Sequence, residues 1–136
     1  MTFGIQDREK EGVTVFDLTG RLIVGPFCAL LREHVQTALQ ASKRQFVLNL
    51  AAVDYIDSTG LGTMVLCYTS AQKLGGTVKL LNLNRRGLEL LLLTKLTTIF
   101  DIFNDELEAV NSFFPDREIK KFDILDFIKK SKDQDL

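Results

Sequence analysis

The chain has 136 residues, 46% of them hydrophobic and 26% charged, enough for one domain with a real core and too few for two ordinary ones. Its 17 basic and 18 acidic residues are interspersed and leave a formal charge of -1, so no basic stripe is present to grip nucleic acid. Met1 to Arg8 lacks the charged-then-apolar pattern of a secretory signal, and the longest apolar run, Leu90 to Leu93, is far short of a membrane span, so a cytoplasmic protein with no membrane partner is expected.

Phe3 to Glu9 and Val13 to Gly20 read as the two strands of a hairpin, with Glu11-Gly12 as its turn. Pro26 suits the first position of a helix that carries Phe27, Leu30, Leu31, Val35, Ala38 and Leu39 on one face and ends near Ala41. Phe46-Val47-Leu48-Asn49-Leu50 has the length and composition of a buried strand, after which Leu61, Met64, Val65, Tyr68, Ala71 and Leu74 recur at helical spacing. Gly75-Gly76 stops that helix, and Thr77 to Leu81 supplies another strand.

A third helix is predicted from about Asn84, with Leu88, Leu91, Leu92 and Leu96 facing inward and Leu90 and Leu93 outside that stripe. Ile99 to Phe103 reads as a short edge-like strand and Asp105 to Phe113 as a short helix. Strands alternating with helices of this length indicate an α/β domain whose later strands are parallel. From Pro115 to Leu136, Ile119, Phe122, Leu125 and Ile128 form an apolar stripe, read as a terminal amphipathic helix, docked on its own domain or on a partner, and frayed from Ser131 onward. Cys28 and Cys67 fall inside helices among apolar residues, as reduced and mostly buried thiols rather than a disulfide or metal pair.

The most informative stretch is Val53-Asp54-Tyr55-Ile56-Asp57-Ser58-Thr59-Gly60-Leu61-Gly62, where an apolar strand enters a helix through an acid-hydroxyl-glycine turn. Ser58 is placed at the helix N-terminus, where a serine is an ordinary cap for the unpaired N–H groups of the first turn. The same helix end favours an added anion, and a phosphate on Ser58 would bring about two further negative charges beside Asp57 and near Asp54. Asp54 and Asp57 as a catalytic or metal-binding pair lack the histidine or further carboxylates that such a site needs. Gly60 and Gly62 serve either a partner's close approach or tight helix-to-sheet packing, and Val65 breaks the dinucleotide-binding glycine pattern. His34, the one histidine, lies on the first helix among Arg32 and Glu33 and reads as a solvent-facing residue rather than the base of a triad.

In order and spacing, Gly20-Arg21-Leu22, Phe46 to Leu50, Val53 to Gly62, Gly75-Gly76, Leu80-Leu81-Asn82-Leu83 and Leu92 to Phe103 resemble the STAS domain of the anti-sigma-factor antagonist family, over roughly Thr2 to Phe113. The resemblance implies a single STAS domain over residues 1–113, a mixed sheet of about four to five strands with helices mainly on one face, extended by an amphipathic segment over 114–136. It implies Ser58 as the residue phosphorylated by a bacterial partner that is both anti-sigma factor and serine-protein kinase. The unphosphorylated form would bind that partner and free a sigma factor; phosphorylation would break the complex, and a phosphoserine phosphatase would restore it. ATP and magnesium would belong to the kinase, so this chain is expected to be no enzyme and to hold no cofactor or metal. The expected partner face is Asp54, Asp57, Ser58, Thr59, Gly60, Leu61 and Gly62, with Leu90 and Leu93 beside Arg85-Arg86.

Two features depart from the family pattern: Asn49 stands where a strand-end aspartate is common, and Ile23-Val24-Gly25-Pro26-Phe27 is more apolar than the corresponding loop. The alternative reading is a STAS scaffold or adaptor subunit that self-associates through its tail and this apolar loop, with phosphorylation secondary or absent.

Overall fold

A computed structural model describes residues 2–134. The chain opens with β1 (Gly4–Lys10) and β2 (Val13–Leu22), paired antiparallel. Glu11 and Gly12 both take positive φ, 53° and 85°, the twist that lets a two-residue loop join hairpin strands without splaying them. Next come α1 (Pro26–Gln40), β3 (Gln45–Ile56), α2 (Ser58–Lys73) and β4 (Thr77–Leu81). The chain continues through α3 (Arg85–Leu93), β5 (Ile102–Phe103), α4 (Glu106–Asn111) and α5 (Ile124–Gln134). The strands lie side by side in chain order, and every pair after the hairpin is parallel, so the mixed sheet expected from the sequence is present.

Strand alternation sorts the side chains onto two faces. Phe16, Leu18, Phe46, Leu48, Leu50, Val78 and Leu80 point toward α1, α2 and α3, where Leu31, Val35, Met64, Cys67, Leu88 and Leu91 close the larger core. Val13, Val15, Val47, Leu81 and Phe103 point the other way and meet Ala109 and Val110 of α4. On that smaller face a polar chain crosses the sheet. Asn82 Nδ2 donates to Asn49 Oδ1 (3.2 Å), Asn49 Nδ2 donates to Asp17 Oδ1 (2.8 Å), and the Arg8 guanidinium bridges Asp17 (2.7 Å) to Glu106 at the start of α4. An aspartate at position 49 could not donate to Asp17 and would repel it, which gives the asparagine there a physical reason.

Several boundaries differ from the sequence reading. Helix α3 stops at Leu93, and Lys95 with φ 61° starts a separate 3-10 turn over Leu96–Thr98, so Leu96 packs from that turn instead of from the helix. The edge strand shrinks to two residues, the length over which Leu80 and Leu81 offer parallel partners. The tail is irregular to Asp123 and helical only from Ile124, and its inner side is Ile124, Phe127 and Ile128 with Phe122. Leu125 (70% exposed) and Ile119 (45%), which the apolar stripe placed inward, face solvent. Helix α5 runs past Ser131 to Gln134, where fraying was expected; Asp135 and Leu136 lie outside the described residues. His34 is half-buried, with Nδ1 2.8 Å from Asp7 Oδ1, and ties α1 to β1 instead of facing solvent. Cys28 and Cys67 are free and buried as expected, and burial pushes the Cys67 thiol up to about 12.

The Arg8 tie yields a pH dependence. Hydrogen bonds from Arg8 hold the Asp17 and Glu106 carboxyls below the usual carboxylate range, while Arg8 itself is pushed further up. Depressed folded-state values mean that the contribution is complete above about pH 5 and is lost as the pH falls through those values. Arg8→Met should lower the unfolding free energy by about 1 kcal/mol at pH 7, a figure already reduced for solvent screening. Denaturant titrations should show the difference from wild type shrinking toward pH 3.

Candidate functional site

The upper half of β3 projects beyond β4. Pairing with β4 ends at Asn49, whereas β2 accompanies β3 to Ile56 across two register shifts. Asp54 and Tyr55 are therefore exposed strand residues, and the chain turns into α2 at a protruding end of the sheet. Arg21 of β2 lies over the Tyr55 ring at 5.1 Å and steadies this end.

The helix cap is Asp57, not Ser58. Asp57 has extended backbone, its Oδ1 accepts from Gly60 N–H (2.7 Å), and its Oδ2 accepts from Val24 N–H (2.9 Å) in the loop before α1. A serine hydroxyl is a single short acceptor and cannot reach both donors; the longer, two-oxygen carboxylate can. These N–H groups, Gly60 foremost and then Val24, hold the Asp57 carboxyl below the usual range. The Asp57 N–H also donates to Leu22 O (3.2 Å). One residue thus joins the end of β2, the β2–α1 loop and the first turn of α2.

With the cap supplied by its neighbour, Ser58 becomes the first helical residue and is exposed. Among the described residues no hydrogen-bond partner occupies its hydroxyl. Thr59 is exposed too, and its carbonyl accepts from Thr63 Oγ1 (2.9 Å). Gly62 is exposed, with open space where a side chain would be.

Gly60 and Leu61, expected on the partner face, are buried. A Cβ on Gly60 would lie 2.0 Å from Leu22 O, so this glycine serves the packing of α2 onto β2, and Leu61 belongs to the core. Leu90 is half-buried against the core, so the exposed leucine pair reduces to Leu93, which is 82% exposed. Asn84 caps α3 at the Ser58 end, where its Nδ2 donates to Asp54 O (3.2 Å), and α3 then runs away for about 13 Å. Leu93 stands at the far end of that helix and does not share the turn with Ser58.

The turn therefore brings together Asp54, Asp57, Ser58, Thr59 and Gly62. Sequence reasoning missed three neighbours: Val24 (69% exposed), Tyr55 (44%) and Leu66 (53%). Leu66 was findable, because it is an apolar residue one turn after Gly62 and outside the inward stripe of α2. Val24 was not, because its link to Asp57 spans 33 positions in sequence. Among the described residues no group of three or more His, Cys, Asp or Glu side chains is placed to hold a metal ion, and no helix is long and apolar enough to cross a membrane.

Two glycines two residues apart, on opposite sides of α2, should behave oppositely. Gly60→Ala forces α2 off Leu22 and should cost about 3 kcal/mol or more, whereas Gly62→Ala should stabilise by about 0.5–1 kcal/mol through helix propensity. Asp57→Ala, which removes both capping bonds, should cost about 1–2 kcal/mol at neutral pH. Because the folded-state pKa of Asp57 is depressed, that loss should narrow on acidification. Thermal and denaturant unfolding measure all three.

Residues 4–109 match the model of the STAS domain family. The chain is 31% identical over 102 residues to the anti-sigma-B factor antagonist of Bacillus subtilis (strain 168), covering 75% of this chain and 92% of that protein. A crystal structure from Thermotoga maritima, of a protein described as a candidate anti-sigma factor antagonist, superposes with a TM-score of 0.74 at 25% identity, over 79% of this chain and 92% of that one. The phosphorylated form of SpoIIAA, a Bacillus cell fate determinant, shares the fold with a TM-score of 0.64 at 19% identity, over 82% and 99% of the two chains. With the matched segment spanning every strand and the Asp57-Ser58 turn at its exposed end, the chain belongs to the STAS domain family.

Proposed function

We propose that this protein is an anti-sigma-factor antagonist: a cytoplasmic, non-enzymatic binding switch that sequesters an anti-sigma serine kinase and is released when Ser58 is phosphorylated. The observation that carries the reading is the division of labour in the turn. Asp57 satisfies the helix end, which leaves the Ser58 hydroxyl exposed and without structural duty. The anti-sigma-factor antagonists among the relatives support the general role.

In the reaction proposed, the Ser58 oxygen attacks the γ-phosphorus of ATP held by the kinase. An O–P bond forms, the bond to the bridging oxygen breaks, ADP leaves, and the hydroxyl proton passes to a base of the kinase. The product carries close to two extra negative charges on a surface already holding Asp54 and Asp57. The positive end of α2 offsets part of that charge locally, so the phosphate is tolerated by the fold while a surface that docked on the neutral turn is repelled. A separate phosphatase reverses the step by hydrolysing the ester.

A second reading is a scaffold or adaptor subunit that assembles through the apolar β2–α1 loop. The exposure of Val24 beside a hollow walled by Phe3, Ile23, Pro26 and Phe27 favours it. A monomeric mass by light scattering at high protein concentration argues against it.

Incubation with the cognate kinase and ATP should add one phosphoryl group to wild type and none to Ser58→Ala, as read by intact mass. Equal labelling of the two would remove the assignment. By calorimetry, Ser58→Ala should bind the kinase like wild type, and Ser58→Asp about tenfold or more weakly, a difference of about 1.4 kcal/mol.

A further inference from the structure

The segment after the STAS match takes a defined path. Arg117 stacks on Phe114 (4.0 Å) and reaches back to Glu11 in the β1–β2 turn (3.0 Å), at the end of the sheet opposite Ser58. The backbone N–H of Lys120 is held by the Glu108 carboxylate, and Phe122 and Ile124 then pass the β5 edge at Phe100, Ile102 and Phe103. Helix α5 lies along α3, and its last turns come back to the Ser58 end. Lys132 Nζ is 3.8 Å from Glu89 at the middle of α3. Ser131 walls an open hollow of about 350 Å³ together with Asp54, Asn84, Arg85 and Arg86. The tail thus starts at one end of the sheet and finishes beside the switch turn.

Its hold on the domain is slight. Ile128 is the one buried residue of α5 outside its last two residues, where α1 has five and α2 six. No regular structure spans Ser112 to Asp123, the Lys130–Asp126 pair lies within α5 itself, and Lys132, which reaches the half-buried Glu89, is exposed. A tail held by one fully buried side chain, the half-buried Phe122, Ile124 and Phe127, and the Lys132–Glu89 pair opens more readily than the core that it covers.

We infer that α5 is a detachable strap: docked on α3, it ends beside the Asp54 flank of the Ser58 turn, and a protein that docks on that turn binds the form in which α5 has left. The inference rests on the reading of Ser58 as the centre of a partner surface. In that arrangement the apparent affinity is the intrinsic affinity reduced by the fraction of molecules with α5 undocked. The tail then sets how much of the protein is competent to bind.

The test uses the full chain and the anti-sigma serine kinase that phosphorylates Ser58 in the assay above. Ile128→Asp removes the one buried anchor, and Leu125→Asp changes the exposed side of the same helix as a control. Hydrogen exchange should show α5 amides deprotected in Ile128→Asp alone, with α1 and α2 amides unchanged. Calorimetry should then show Ile128→Asp binding about tenfold more tightly than wild type if the strap is docked in roughly nine molecules of ten, with Leu125→Asp equal to wild type. Equal or weaker binding by Ile128→Asp, with α5 demonstrably released, overturns the strap and leaves the antagonist reading standing. Absence of kinase binding by every variant overturns both.

Discussion

The site depends on the contact between the first turn of α2 and the end of β2. Gly60 sits so close to Leu22 O that no side chain fits between them, and the Asp57 N–H donates to that same oxygen. The Asp57 carboxylate adds bonds to Gly60 and Val24, so the helix start, the strand end and the following loop are fixed to one another. Everything exposed at this end of the molecule, from Tyr55 through Ser58 to Gly62, is carried on that junction. Backbone donors and a glycine provide the rigidity, which leaves the outward side chains free of structural obligation.

The two faces of the sheet divide the remaining work. The larger face holds the aromatic and aliphatic core under α1, α2 and α3, and it sets where α2 and α3 begin. The smaller face is partly polar, and its chain of groups from Asn82 through Asn49, Asp17 and Arg8 to Glu106 links the residue after β4 to β3, β2, β1 and α4. Each bond in it is half-exposed and individually modest, but the chain lies across the strands and so resists their sliding. On the same face Lys79, almost buried on β4, donates to the carbonyl and hydroxyl of Ser112 at the end of α4 and lies 4.4 Å from the Phe113 ring. The helix end is satisfied there by a strand residue, where water would otherwise be needed.

Most of this fold was legible because its signals are local. The apolar run of Phe46 to Leu50, helical spacing after Leu61, and punctuation at Glu11-Gly12, Pro26 and Gly75-Gly76 each act within a few residues and survive folding unchanged. The failures share a different cause. Which residue caps α2 depends on where the Val24 N–H arrives, and Val24 is a distant loop residue. Whether Gly60 is a contact or a packing residue depends on Leu22. The inward side of the tail was misassigned at Leu125 and Ile119 because the helix starts at Ile124, which resets the angular position of every residue that a continuous stripe from Pro115 implied. Within Val53 to Gly62, the capping role passes from Ser58, where the sequence placed it, to Asp57.

That transfer bears on what the turn can tolerate. A hydroxyl that neither caps a helix nor fills a core can be replaced without loss of the domain that carries it, so a substitution at Ser58 leaves the scaffold intact. The constraint falls on the silent neighbours, Asp57 and Gly60, whose loss would remove the platform on which Ser58 stands.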